Sequence, residues 1–306
     1  GLYKLGDFPS KNTFTWNGHF RDDLRRFWKG DKDTAWNMSD KIKGSPSIYK
    51  EDNIFPKSIN FITSHDGFTL KDLVTFNRKH NFANREQNRD GDNHNNSWNH
   101  GTEGPTTNLL INDLRKRQQK NLILSLLISK GVPMILMGDE IGRSQGGNNN
   151  SWCQNNLLGW MNWEHDQKDL ELLEYFKYVI KIRKKLINIF NPSFFPNNQT
   201  NKNIPTYHWH GTKLDSPDWS SWSHTVAFSI NKDNTNPLVW IGLNAYSKSI
   251  DFPLPKCKYN WLKVIDTSMS EIFEPLTINE KSVSIKSRSS LLIISEEVFG
   301  AKNNIF

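Results

Sequence analysis

The sequence predicts an α/β domain followed by an all-β domain, and three observations predict it. Strand, polar loop and helix succeed one another twice between residues 58 and 190. The strands of those repeats are apolar along both faces, as strands buried in a parallel sheet are. Beyond residue 195 the chain turns to short β-prone runs separated by Pro, Asn, Asp, Gly and Ser, which suits a compact antiparallel sandwich. The first pattern fits a βα barrel or a doubly wound sheet. The expected domains are therefore 1–195 and 196–306.

Taken in order, residues 1–9 are loop-like. Trp16-Asn17-Gly18 is a short strand or turn feeding a helix, because Leu24, Phe27 and Trp28 fall at helical spacing. Residues 32–47 are polar and read as irregular or short-helical. Ile59-Asn60-Phe61-Ile62 is the central strand, and it ends on Thr63-Ser64-His65-Asp66-Gly67. In parallel α/β folds the C-terminal strand ends are where chemistry is placed. Phe68 to Val74 can start a helix, and a polar loop over 84–101 follows, long enough to suggest a functional segment. Residues 108–130 give the clearest helix, capped by Thr107 or Asn108, with Leu110, Leu114, Leu122, Leu126 and Leu127 on its apolar side and Gly131 as its stop. Residues 132–137 form a second buried strand ending in Gly138-Asp139-Glu140, and a second polar loop covers 143–152. A helix over 166–190 buries Leu170, Leu173, Phe176, Ile180 and Ile187. Strands are expected at 206–210, 225–230, 238–243, 261–265, 283–285 and 291–295.

Composition narrows the function. The 306 residues carry 39 basic and 32 acidic side chains, a net charge of +7 that is well mixed along the chain. Basic clusters such as Arg115-Lys116-Arg117 read as solvated helix faces, so no nucleic-acid partner is expected. No apolar run is long enough to span a bilayer, so no membrane partner is expected either. Cys153 and Cys257 match no metal or redox spacing, which favours a reducing compartment. The 12 tryptophans are unusual. Most are expected in packing, but Trp98, Trp152, Trp160 and Trp163 fall in or beside polar loops, where core packing and a flat platform for sugar rings remain equal alternatives.

His65-Asp66-Gly67 alone reads as easily as a turn. The second strand end, Gly138-Asp139-Glu140, adds weight, because neighbouring strands lie roughly 5 Å apart and carboxylates at adjacent ends can share a pocket. Glycoside hydrolysis needs paired carboxylates, one to donate a proton and one to attack or to stabilise positive charge. Asp66 with Glu140 is the pair this suggests. The plainer alternatives are a helix-capping role for Asp139-Glu140 and a featureless polar loop at Asn148-Asn149-Asn150. Asp90, Asp92 and His94 lack the spacing of a calcium loop, so no metal is expected. No phosphate cradle or nucleophile elbow is present, and no cofactor is expected.

Asn60-Phe61-Ile62-Thr63-Ser64-His65-Asp66-Gly67-Phe68-Thr69-Leu70, with Asn88-Arg89-Asp90-Gly91 and Ser97-Trp98-Asn99, resembles the isoamylase and glycogen-debranching branch of the α-amylase superfamily. Pro133 to Glu140 with Gly147-Asn148-Asn149-Asn150 resembles the last barrel strand and loop of that branch, and Trp16-Asn17-Gly18 and Pro217-Asp218-Trp219-Ser220 also fit. The resemblance implies the C-terminal portion of a (β/α)8 barrel followed by a small antiparallel β-sandwich. It implies retaining hydrolysis of α-1,6 branch linkages, with Asp66 as the transition-state-stabilising carboxylate and His65 on the sugar hydroxyls. Trp98 and Trp152 are the candidate substrate-binding aromatics. The family's nucleophile and acid/base lie on earlier strands and match nothing between residues 1 and 59, which demotes the pairing of Asp66 with Glu140. The expected partners are a branched α-glucan (glycogen or amylopectin-like) and the missing N-terminal part or a homologous subunit. A non-catalytic glucan-binding subunit is the rival reading. The expected location is the cytoplasm, or the plastid in a photosynthetic eukaryote.

Overall fold

The structure is a computed structural model that describes residues 4–7, 13–49, 57–164, 167–190, 206–231, 236–272 and 274–300. The chain forms two compact units, Gly1–Lys29 with Asp40–Lys184, and Gly30–Ser39 with Lys185–Phe306. The boundary expected at 195/196 lies outside the described residues.

The first unit is built on three parallel strands, β1 (Thr15–Trp16), β2 (Ser58–Phe61) and β3 (Val132–Met134), in the spatial order β1-β2-β3. Trp16 lies opposite Ile59, and Ile59 opposite Val132. Among the described residues, helices α1 (Gly18–Lys29), α2 (Ala35–Ile42) and α3 (Pro46–Tyr49) lie between β1 and β2. Two more, α4 (Leu70–Leu73) and α5 (Leu109–Ile128), connect β2 to β3, and α6 (Gln167–Lys185) and α7 (Ile187–Phe190) follow. Helix α1 starts where the Asn17 side chain accepts the Phe20 N–H at 2.9 Å. Its apolar positions Phe20, Leu24, Phe27 and Trp28 are all buried, each favouring the fold by about 2 kcal/mol over exposure.

Helix α5 departs from the one-sided stripe expected of it. Asn108 caps it, accepting from Leu110 N–H at 3.0 Å and Ile111 N–H at 3.3 Å, but Leu110 is 81 % exposed. From Gln118 to Ile128 every residue is buried. This part of the helix is sunk on all sides, and two of its polar groups find partners there: Trp28 Nε1 donates to Ser125 Oγ at 3.0 Å, and Tyr175 Oη to the Lys120 carbonyl at 3.2 Å. Helix α6 is likewise rotated from expectation. Phe176 is buried, but Leu170 is exposed and Leu173, Ile180 and Ile187 are half-buried, while Leu172, Tyr175, Tyr178, Val179, Ile182 and Arg183 face inward. Tyrosine and arginine can face the core because their polar tips are satisfied there: Arg183 donates to the carbonyls of Leu127, Ser129 and Gly131. The expected strand over 132–137 pairs only as far as Met134. No helix among the described residues is long and apolar enough to cross a membrane, and Cys153 and Cys257 are free thiols.

The second unit contains β4 (Thr206–His210), β5 (Thr225–Asn231), β6 (Pro237–Asn244), β7 (Ile250–Pro253), β8 (Trp261–Asp266), β9 (Leu276–Ile278), β10 (Ser282–Ile285) and β11 (Ser289–Ser295), then α8 (Glu296–Gly300). All six expected strands are present, and β7 and β9 are additional. The six-stranded antiparallel sheet runs β4-β5-β6-β11-β8-β9, and β7 pairs with β10 in a second antiparallel sheet. The two sheets share a core of Trp240, Phe252, Ile285 and Ile293 with Ala227, Leu254, Trp261 and Leu291. Segment Gly30–Ser39 is held to this unit by Asp33 N–H on the Ser221 carbonyl at 2.9 Å and by Trp36 edge-on to Trp219, ring centres 5.6 Å apart.

Gly242 is where this core is tightest: a Cβ there would stand 2.2 Å from Ile285 Cδ1 and 2.6 Å from the Trp240 ring. Gly242→Ala is therefore expected to destabilise the chain by about 1–3 kcal/mol through overpacking, read from the urea midpoint, with Ile285→Val in the same chain recovering part of the loss.

Candidate functional site

Strand β2 ends at Phe61, and the chain then turns through Ile62 to Leu70 into α4. Beneath the turn lies Arg25 of α1, itself buried. Its Nε and Nη2 donate to the Ile62 carbonyl at 2.9 and 2.6 Å, and its Nη1 to the Asn95 carbonyl at 2.9 Å. One planar guanidinium thus fixes the strand end and the far part of the long polar loop together. Burial and the neighbouring Arg21 push its proton affinity below the usual arginine value.

His65 and Asp66 project from this turn, 71 % and 77 % exposed, with Nε2 and Oδ2 3.4 Å apart. The Trp16 ring at the end of β1 lies edge-on to His65 at 6.0 Å and next to Phe61 at 5.9 Å. The two strand ends of β1 and β2 therefore present an indole, an imidazole and a carboxylate side by side. Trp16 is the residue of this set that the sequence analysis noted only as part of a motif.

The carboxylate that reaches across from the end of β3 is Asp139, not Glu140. Glu140 Oε2 accepts from the Gly138 N–H at 2.8 Å, within its own turn. Asp139 is buried; its Oδ2 accepts the Thr63 hydroxyl and its Oδ1 the Leu70 N–H, the latter at 2.9 Å. The capping alternative thus describes Asp139, which serves the first N–H of α4. Burial, helped by the nearby Glu140, raises its pKa from 3.8 to about 7, against the pull of Thr63, Leu70 and Arg25. Asp72 in α4 is a second buried carboxylate, raised by burial and holding the Ser144 hydroxyl and the Gln145 N–H.

The two polar loops are interlocked by asparagines. Asn81 and Asn149 exchange bonds, Asn81 Nδ2 to Asn149 Oδ1 at 2.8 Å and Asn149 N–H to Asn81 Oδ1 at 2.9 Å. Asn149 Nδ2 also donates to the Asp92 carbonyl at 2.7 Å and to Asn95 Oδ1 at 2.9 Å. Asn148 Nδ2 donates to Asn84 Oδ1, and Asp90 Oδ2 accepts from both Asn84 and Asn150. Gly91 sits at φ +73°, and a Cβ on it would be 2.2 Å from Asn149 Oδ1, so only glycine fits here. Asn148-Asn149-Asn150 is an ordered clasp, and the Gly67 N–H on the Asn149 carbonyl at 2.9 Å ties it to the His65–Asp66 turn.

Trp152 stands on the 3-10 turn Ser151–Cys153 just beyond the clasp, 83 % exposed. Trp98 is half-buried; its N–H donates to the Leu73 carbonyl at 3.1 Å, its ring lies 4.1 Å from that of His100, and it lines a small cavity with Arg25, Trp28 and Leu122. No group of three or more His, Cys, Asp or Glu side chains among the described residues is placed to hold a metal ion.

The second unit contains a Ser–His–Asp grouping that invites a nucleophilic reading. His210 Nε2 lies 3.1 Å from Ser229 Oγ, and Nδ1 lies 3.5 Å from Asp215 Oδ1. Its bonds run the wrong way for catalysis. The Asp215 backbone N–H donates to Nδ1 at 3.2 Å, which leaves the proton on Nε2, and Ser229 donates onward to Asn231 at 3.0 Å. A base must accept the serine proton, so this chain of bonds fixes β4 to β5 and performs no acyl transfer.

Two outcomes follow from this geometry. Asn149→Ala removes the acceptor of Asn81 Nδ2 and the donor to Asp92 and Asn95, keeps the backbone N–H on Asn81 Oδ1, and is expected to cost about 2–4 kcal/mol in chemical denaturation. Asp139 binds its proton more tightly in the folded chain than in the unfolded one, so its share of the stability is complete below pH 3.8 and is lost as the pH rises to about 7. Asp139→Asn is expected to flatten that part of the stability–pH profile, measured by urea unfolding at a series of pH values.

Comparison with known proteins places the chain. Residues 208–298 match the family model described as "Isoamylase 1-3, C-terminal". Isoamylase 1, chloroplastic, of Oryza sativa subsp. japonica is 40 % identical over 280 residues, covering 90 % of this chain and 34 % of the rice protein. The glycogen operon protein GlgX homolog of Mycobacterium tuberculosis is 35 % identical over 315 residues, covering 96 % of this chain and 43 % of that protein. A pullulanase from Bacillus acidopullulyticus shares the fold with a TM-score of 0.64 at 18 % identity, over 92 % of this chain and 30 % of its own. The chain spans between a third and a half of the length of the two curated relatives. Residues 208–298 are thus similar to the isoamylase C-terminal family, and most of the chain is similar to part of an isoamylase and of a GlgX homolog.

Proposed function

We propose that the chain is part of a glycoside hydrolase that cleaves α-1,6-glucosidic branch linkages in a glycogen- or starch-like glucan with retention of configuration. The observation that carries this reading is the exposed His65–Asp66 pair on a backbone fixed from beneath, at the C-terminal end of the central strand of a parallel sheet. The order β1-β2-β3 supports taking residues 1–195 as the late strands and helices of a (β/α)8 barrel. The two antiparallel sheets with a shared core support a C-terminal β-sandwich over 196–306.

In this reading Asp66 turns its carboxylate to the oxocarbenium-like transition state, and His65 holds a sugar hydroxyl at the cleavage point. Trp16 closes one side with an apolar ring face. The attacking carboxylate and the proton donor are not assigned to residues of this chain; the remainder of a longer protein or a homologous subunit supplies them. The plant relative's name places it in the chloroplast, and plastid or cytoplasm is the compartment we assign here. A non-catalytic glucan-binding subunit is the second reading, favoured by Trp152, Trp160 and Trp163, which are 83 %, 55 % and 77 % exposed.

The test is to incubate the 306-residue chain with a branched glucan, following reducing ends and co-sedimentation together. Binding without hydrolysis by this chain alone is expected. Hydrolysis is expected from the protein that also supplies the two other carboxylates, with Asp66→Asn lowering kcat by about 10²–10³-fold. Full activity in Asp66→Asn would overturn the catalytic reading. Binding lost on Trp152→Ala, with no assembly that hydrolyses, would select the second one.

A further inference from the structure

The turn between β2 and α4 carries its two functional side chains into solvent, so their aim is set by the backbone under them. That backbone is gripped at both ends by one carboxylate. Asp139 Oδ2 accepts the Thr63 hydroxyl, before the His65–Asp66 pair, and Oδ1 accepts the Leu70 N–H, after it. A carboxylate is planar and rigid, so two bonds to its two oxygens fix residues 63 and 70 relative to each other and to the end of β3.

Asp139 is itself held firmly. It opens the 3-10 turn Asp139–Ile141, between Gly138 at φ +98° and Gly142 at φ +66°. Arg143 fills the space that a Cβ on Gly138 would need, its Cδ lying 2.7 Å from that point. The neighbouring Glu140 is committed to the Gly138 N–H and does not substitute for it. Two lighter ties complete the turn: Ser64 Oγ donates to the Asp66 carbonyl at 3.1 Å, and the Gly67 N–H donates to the Asn149 carbonyl at 2.9 Å.

We propose that Asp139 is the positioning residue for the His65–Asp66 turn, setting the direction in which both side chains meet the sugar. The last clause rests on the glucan reading above; the grip on the turn does not.

Amide exchange in the full chain tests the grip with no glucan present. In Asp139→Leu, exchange across residues 64–70 is expected to rise about tenfold or more, the scale of one lost buried bond, while β2 and the second unit keep wild-type rates. Asp139→Asn keeps a carbonyl for Leu70 and offers an amide N–H to the Thr63 oxygen, so it is expected to stay within about threefold of wild type. Thr63→Val releases one end only and answers the case in which Asp139→Leu does not fold. Unchanged exchange over 64–70 in Thr63→Val and in any folded Asp139→Leu overturns the proposal. So does uniform loosening of the whole chain, which would make Asp139 an ordinary core residue.

A second arm uses a branched maltodextrin. Asp139→Leu is expected to weaken binding about tenfold, Asp139→Asn is expected to restore it, and the Leu substitution is expected to add nothing in a His65→Ala background. Additive losses would show that Asp139 does not act through His65, and overturn the positioning role. A wild-type chain that shows the expected exchange pattern but binds no glucan would sink the glucan reading and support the grip alone.

Discussion

The guanidinium of Arg25 joins three parts of the first unit at one point: helix α1, the end of β2 and the far part of the long loop. Burying a cation costs several kcal/mol, and here the cost is offset by three charge-assisted bonds to main-chain carbonyls. Those carbonyls lie just where the sheet stops, and a strand end or loop shielded from water must find donors somewhere. Arg115 and Arg183 repeat the device. Arg115 serves the carbonyls of Asn99, Thr102 and Gly104, and Arg183 those at the C-terminal end of α5, where the helix dipole is negative. Long loops without secondary structure of their own stay ordered because side chains anchored in helices stand in for the missing ladder.

The same economy of partners separates the acids near the strand ends. Asp66, Asp72 and Asp139 are one residue type in two environments. Asp66 faces water beside His65, whereas Asp72 and Asp139 are buried, raised in proton affinity by that burial, and committed to backbone and hydroxyl donors. The exposed carboxylate is free to meet a ligand, and the buried ones shape the ground on which it stands. An exposed carboxylate and a buried, structural one are thus divided between neighbouring strand ends.

Much of this was legible in the sequence where the information is local. Turn residues punctuate the second unit so regularly that β4 falls at the positions its β-prone run marks, Thr206–His210. The Asn108 cap of α5 and the strand ending before His65 were equally plain. What stayed hidden depends on partners distant in the chain. The buried face of α6 includes Tyr175, Tyr178 and Arg183, and the polar tips of Tyr175 and Arg183 are satisfied by α5 and the carbonyls beyond it. Adjacent acids at a strand end look equivalent until a 3-10 turn points Asp139 inward and folds Glu140 back on itself. The triplet Asn148-Asn149-Asn150 has the composition of a loose polar loop. Its order comes from residues 81–95, and no local pattern announces that.

Segment Gly30–Ser39 has a consequence for how this protein can be taken apart or recombined. Because that segment belongs with the second unit, neither unit is one continuous stretch of chain. A cut near residue 184 would strip the second unit of the Asp33–Ser221 bond and of the Trp36 ring against Trp219. Gene-level swapping of the C-terminal unit between relatives would therefore pair each sheet with a foreign Trp36 segment. The two stretches of the second unit are constrained to diverge together: a change at Trp219 or Ser221 is judged against residues nearly two hundred positions earlier in the chain.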